Sequence, residues 1–260
     1  MKKIKLFIVT YNAIDDLDKN IRTCIAGEID KINLQINIIN NHTNFHLAED
    51  LSEHITVFHN TLRPDFSTGH LSRSWNQAII NGFKNLKEPD CDILITCQDD
   101  AIWDKNWVEK LLSIHEKYDF YTCNNGDMLC SYTVEAIKKI GLWDERFCNI
   151  QFQEADYFLR ANIYHGDKSS INDSNHHRTL NETSCIVERP TSFSQHTPRA
   201  HVSNQFHEFS KNIFIHKWGN MFSWTGKVTN IEHSKLPSFF YYPYFERNIE
   251  NAKEKGYIVP

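Results

Sequence analysis

Hydrophobic and polar positions change period along this chain, and the changes mark its elements. Ile4 to Val9 (IKLFIV) is a short apolar run rich in β-branched residues, and the polar stretch YNAIDDLDKN follows it. The run predicts a strand. Leu17, Ile21, Cys24 and Ile25 then recur at helical spacing behind Asp15 and Asp16, acids that suit the positive end of a helix. Ile36 to Ile39 and Ile55 to Phe58 read as two further strands, Trp75, Ile79, Phe83 and Leu86 share one helical face, and DILITC supplies another strand. This β-α-β-α order predicts an α/β fold with a mostly parallel sheet flanked by helices on both faces. Ligands of such sheets bind at the carboxyl ends of the strands, where the strand order switches. Two polar loops, Thr10–Asn12 after the first strand and Asp99–Asp100 after DILITC, would then face one cleft although roughly ninety residues separate them.

After about residue 120 the pattern changes. VEAIKKIG reads as a helix closed at its C-terminal end by Gly141. The stretch GLWDERFCNIQFQEADYFLR packs acids, aromatics and an arginine together, and residues 166–205 turn to Ser, Asn, His and Thr, a composition of long loops. FIHKWGNMFSWTG and SFFYYPYFER make the end aromatic-rich. The expected organisation is a core over residues 1–165, and loops with a C-terminal extension over 166–260 that packs back on it.

Composition narrows the function classes. With 40% hydrophobic residues in 260, the chain can bury a substantial core. A net charge of −5 and scattered Lys and Arg argue against a nucleic-acid binder. The seven cysteines include no C-x-x-C pair, which reads as reduced, buried thiols in a cytoplasmic setting. The apolar run of MKKIKLFIVT is too short for a signal peptide or a membrane span, and no later segment reaches that length, so the expectation is a soluble chain with peripheral membrane contact left open. Neither G-x-x-x-x-G-K-[ST] nor G-x-G-x-x-G occurs, which speaks against phosphate-loop and dinucleotide enzymes. Fourteen histidines include no H-E-x-x-H pair, and the H-x-x-x-H spacing of His42 and His46 falls in the loop after the second strand and not on a helix of the zinc-enzyme kind.

Five pieces in order, IVTYNAIDDLDKNI, INIINNHT, STGHLSRSWNQAI, DILITCQDDAIW and GLWDERFCNIQFQEADYFLRA, resemble the family 2 glycosyltransferases with the GT-A fold over about residues 4–165. The KWG of Lys217 to Gly219 is similar to a terminal segment of some of these enzymes. The resemblance implies an inverting transfer from a nucleotide-sugar donor, UDP-linked first and GDP- or dTDP-linked next, to a glycan or glycoconjugate hydroxyl, with Mn²⁺ or Mg²⁺ assisting. Expelling a diphosphate requires neutralising charge on its oxygens, and a hard cation held by one or two carboxylates does so. Asp100 would be the metal ligand and Asp99 would contact the ribose or a metal-bound water, with Gln98 standing where a first acid would be; a helix-capping role is the alternative for both acids.

Thr10, Tyr11 and Asn12 would line the base pocket. Asn40, with Asn41, occupies the place of the family's base-reading acid, or else forms a plain turn. Arg73 would contact a phosphate unless it is a solvated surface charge, and Asn76 would hold the ribose or the metal-bearing loop. Gln153, Glu154, Asp156 and Arg160 take the marked places of the family's E-D-x-D-x-x-x-R pattern. Glu154 would be the general base, Gln153 would face the acceptor, and Asp156 with Arg160 reads as an ion pair one helical turn apart. Trp143 and Tyr157 would stack on an acceptor sugar, though core packing suits both, and Trp75, Ile79 and Phe83 read as core. His177 is a candidate metal or diphosphate contact, with His176 and His216 beside it in that role. The readings from other classes are a non-catalytic nucleotide-sugar or carbohydrate binder, suggested by Asn40, Gln98 and Gln153, and a nucleotidyltransferase.

Overall fold

The computed structural model describes residues 1–43, 45–53, 55–60, 71–123, 128–147, 152–170, 185–188, 207–218 and 254–257. The chain divides into two compact units that interleave along the sequence. One comprises Met1–Pro64, Cys91–Thr133 and Ser170–Ser192; the other comprises Asp65–Asp90, Val134–Ser169 and Phe193–Pro260.

The first unit is built on a seven-stranded sheet. Its strands are β1 (Lys3–Thr10), β2 (Asn33–Asn40), β3 (Ile55–His59), β4 (Ile93–Gln98), β6 (Phe120–Cys123), β7 (Leu129–Tyr132) and β8 (Ser169–Ser170), in the order β3-β2-β1-β4-β7-β6-β8. The pairs β1–β2, β2–β3 and β1–β4 are parallel, while β4–β7 and β6–β7 are antiparallel. β1 is buried from Ile4 to Thr10, the near-continuous apolar run that a strand covered on both faces requires. Ile4, Leu6 and Ile8 pack with Leu17, Ile21 and Cys24 of α1 (Ile14–Ile25), whose first turn carries Asp15 and Asp16 as the sequence predicts. A second sheet joins β5 (Ile102–Trp103) to β9 (Val187–Glu188). α2 is the single turn Glu49–Ser52, and α4 (Trp107–His115) follows β5. The Trp107 indole donates to the Cys24 carbonyl at 2.9 Å, over Gly27; a Cβ on Gly27 would lie 2.4 Å from the indole nitrogen, so only glycine fits.

The register aligns the strand exits. Thr10 pairs with Asn40 and Val9 with Gln98, so the carboxyl ends of β1, β2 and β4 come out together, and the order reverses direction at β1.

The second unit holds α3 (Leu71–Phe83), α5 (Val134–Ile140), α6 (Phe152–Tyr164) and α7 (His207–Trp218). Trp75, Ile79 and Phe83 are core, as their spacing suggests. α3 stops before Leu86 because Lys84 turns into the left-handed region (φ 60°), and Leu86 is buried outside the helix. Gly141 (φ 85°) closes α5, its N–H bonding the Ile137 carbonyl. Phe147, Phe152, Leu159, Phe214 and Trp218 form this unit's aromatic cluster. The Tyr257 hydroxyl reaches the Ile80 carbonyl at 3.4 Å, and the Leu86 N–H bonds the Lys255 carbonyl. SFFYYPYFER and most of 166–205 lie outside the described residues.

Candidate functional site

The first unit gathers its chemistry at the strand exits. Thr10 is buried at the end of β1, and its Oγ1 has no hydrogen-bond partner among the described residues. Asn12 adopts a left-handed backbone (φ 56°), which asparagine tolerates better than most residues. The Tyr11 N–H donates to Asp99 Oδ2 at 3.4 Å, so the first loop and the acidic turn meet as the sequence expects. Asp99 and Asp100 are 5% and 7% exposed in a turn between β4 and β5. They do not cap α4, whose N-cap is Asn106. Asn20 of α1 fixes the turn's approach: its Nδ2 donates to the Gln98 carbonyl at 2.9 Å and its Oδ1 accepts from the Trp103 indole at 2.8 Å.

Asn40 is fully buried and its amide is used locally. Oδ1 accepts from the His42 N–H at 3.0 Å, and Nδ2 donates to the His42 carbonyl at 2.7 Å and lies 3.0 Å from His59 Nδ1. Asn40 thereby forms the turn that sets the His42 ring edge-on to Tyr11, 5.0 Å between centroids. Asn41 Oδ1 accepts from Asn60 at 3.1 Å, tying the β2 and β3 exits together.

The second unit assembles a different set. Gln153 and Glu154 lie in the first turn of α6; Gln153 is buried and its Oε1 accepts from the Ser72 hydroxyl at 2.9 Å, whereas Glu154 is half-buried. Asp156 and Arg160 form the expected pair at 3.0 Å, both buried. Trp143 and Tyr157 are buried and stack on one another, 4.2 Å apart at 10°. The packing reading of both therefore agrees with their surroundings. Asn76 clasps the Trp143 backbone through both amide groups and donates to Glu145 Oε1 at 2.9 Å; Arg73 Nε lies 3.5 Å from Glu145 Oε2.

The sequence reading assigned no role to Asp144, Glu145 or the side chains of Lys217 and Trp218. Lys217 Nζ sits 2.9 Å from Asp144 Oδ2 and 2.6 Å from Asp156 Oδ1, and the Trp218 indole donates to the same Asp156 oxygen at 2.8 Å. Arg146 closes the set on Asp144 at 2.5 Å. Burial alone would push the Asp156 carboxyl up, yet the Lys217 ammonium and the Arg160 guanidinium more than offset it and hold it below the usual carboxylate range. A charged residue between large apolar neighbours, as in LWDERF and HKWG, was the available signal.

The fold has counterparts among solved structures. A mannosyltransferase from Pyrobaculum calidifontis, solved with GDP-Man and Mn²⁺, overlays with a TM-score of 0.51 at 13% identity, over 81% of this chain and 64% of that one. The fold is GT-A-like. The chain spans 64% of that enzyme's length. The S. aureus TarS 1–349 complex with UDP (TM-score 0.45, 11% identity, 61% of this chain and 55% of that one) is a looser overlay. So is the catalytic domain of Drosophila β1,4-galactosyltransferase 7 with xylobiose (0.46, 11%, 73% and 71%). No protein-family model matches the chain, and no curated protein matches it in sequence.

Within the GT-A-like fold, the donor chemistry of the acidic turn suits a hard cation. Two adjacent carboxylates supply oxygen ligands only, the set that Mg²⁺ or Mn²⁺ takes together with water and substrate phosphate. No group of three or more metal-binding side chains occurs among the described residues, and no helix among them is long and apolar enough to cross a membrane. His176 and His177 lie outside the described residues; His216 is exposed on α7.

Proposed function

We propose that this chain is an inverting glycosyltransferase of the family 2 type, moving a sugar from a nucleotide-diphosphate sugar to a hydroxyl of a glycan or glycoconjugate. The observation that carries the reading is the acidic turn at the β4 exit, hydrogen-bonded to the Tyr11 backbone at the point where the sheet order reverses. Thr10, Tyr11, Asn12 and His42 would form the base and ribose end of the donor site, with Asn40 shaping its loop. Asp100, assisted by Asp99, would hold Mn²⁺ or Mg²⁺. A bound cation supplies charge neutralisation for the departing diphosphate. Glu154 would take the proton of the acceptor hydroxyl as its oxygen bonds to the anomeric carbon and the diphosphate leaves with the electron pair of the broken bond. Gln153, Asn76 and Arg73 would support the acceptor and phosphate ends, and His177 remains a candidate diphosphate or metal contact. The catalytic core would occupy 1–165 with acceptor-side loops and extension over 166–260, in a cytoplasmic protein.

The non-catalytic binder keeps a specific observation in its favour, since Asn40 and Gln153 both spend their side chains on internal hydrogen bonds. Incubation with UDP-, GDP- and dTDP-sugars, with Mn²⁺ or with EDTA, separates the two. Metal-dependent release of nucleoside diphosphate, lost in Asp100→Ala without a change in melting temperature, is the expected result. Metal-dependent binding without release identifies the binder. No binding of any nucleotide sugar overturns both readings, and pyrophosphate release from a nucleoside triphosphate would establish a nucleotidyltransferase.

A further inference from the structure

Helix α7 ends in a cation that reaches both acid-bearing segments of its own unit. Lys217 is 2% exposed and its ammonium bridges Asp144, on the turn after α5, and Asp156, one turn into α6. Trp218 adds a third bond to Asp156. One turn earlier, Phe214 packs on Phe152 at 5.7 Å and on Phe147 at 6.4 Å, so α7 grips the first residue of α6 with an apolar contact and the next turn with a charged one. Gln153 and Glu154 lie between those two grips. On the other side, Arg160 Nη1 donates to the Ile140 carbonyl at 2.6 Å, pinning α6 to the end of α5.

An apolar set of the same volume would hold such helices together at least as well, because desolvating charges costs much of what their pairing returns. What a buried ion network adds is a fixed arrangement: each partner has one geometry that satisfies it, and sliding α6 would strand a charge. We infer that Lys217 is a positioning residue for the α6 segment carrying Glu154, with Trp218 as its auxiliary. The inference rests on the assignment of Glu154 as general base. It explains why a helix more than fifty residues downstream of that base ends in Lys-Trp: the transfer step needs the carboxylate within hydrogen-bond reach of the acceptor hydroxyl, and a misplacement of about 1 Å costs on the order of a hundredfold.

Lys217→Met keeps the length of the side chain and removes its charge. The expected result is a folded variant with unchanged donor affinity and kcat lowered by about tenfold or more. A folded Lys217→Met with wild-type kcat overturns the inference. If that variant does not fold, Trp218→Phe decides, because it keeps an aromatic side chain and removes the N–H donor to Asp156, while the loss of ring volume is read from the melting temperature. A drop in kcat of about threefold or more at unchanged melting temperature supports the positioning role, and an unchanged kcat rejects it. Glu154→Gln is measured alongside: normal transfer by that variant removes the base assignment itself. Lost transfer in Glu154→Gln with full kcat in Lys217→Met overturns the positioning role alone.

Discussion

Glu154 and Asp156 stand two residues apart on one helix in opposite surroundings, one half-buried, the other fully enclosed by Lys217, Arg160 and Trp218. The same change of acid to amide should therefore have opposite effects at the two positions. Glu154→Gln is expected to leave unfolding unchanged and to cut transfer by about two to four orders of magnitude. Asp156→Asn strips the anion from two buried cations and should cost roughly 3–5 kcal/mol in a denaturant titration. Because the folded pKa of Asp156 is depressed, its contribution is full at neutral pH and is lost as the solution is acidified through the carboxylate range. Equal stability of the two variants would contradict this division. The Asp156–Arg160 pair was legible from its helical spacing. The Lys217 bridge was not, since a separation of 73 positions from Asp144 leaves no periodic trace.

Among elements, those with length and a clear period were readable. β1, β2, β3, β4, α1, α3 and α5 stand where the hydrophobic pattern puts them, and the meeting of Tyr11 with Asp99 follows from the parallel order alone. The antiparallel pair β6 and β7 was not anticipated. FYTC and LCSY are four residues each and buried throughout, too short to show whether they alternate. β7 is also where α4 is anchored. His115, the last residue of α4, lies 2.9 Å from the Tyr118 carbonyl through Nδ1 and 2.8 Å from Ser131 Oγ through Nε2; the carbonyl can only accept, so Nδ1 carries the proton of the neutral ring. Burial pushes its pKa down to about 4. The unfolded chain, with an ordinary histidine near 6.5, binds more protons between those values, so stability should fall as the pH drops from about 6.5 toward 4. His115→Gln should flatten that fall by about 1–2 kcal/mol between pH 6.5 and 5, read from urea midpoints. An unchanged pH profile would remove His115 as its source.

For the whole molecule, the cysteines offer a simple report on integrity. Six of the seven are described and all six are buried and unpaired by disulfides, in line with the reduced thiols expected from their spacing. The hydrogen bond from Cys185 holds the Cys123 thiol below the ordinary cysteine range, and its burial is what shields it. A thiol reagent should label at most one group quickly in the native protein and the remainder only at the rate of unfolding; two or more fast equivalents would contradict the burial pattern. The interleaving of the two units has a further consequence for synthesis. The sheet's own unit is made from three stretches of chain, and the strand that pairs with β5 arrives only in the last of them, after α3, α5 and α6 of the other unit have already emerged. The sheet's unit cannot finish before two of the three stretches of the other have been made. A growing chain that has just passed Tyr132 carries a β5 that still lacks its partner strand, and at about 5–20 residues per second β5 stays open on the ribosome for several seconds before β9 pairs with it.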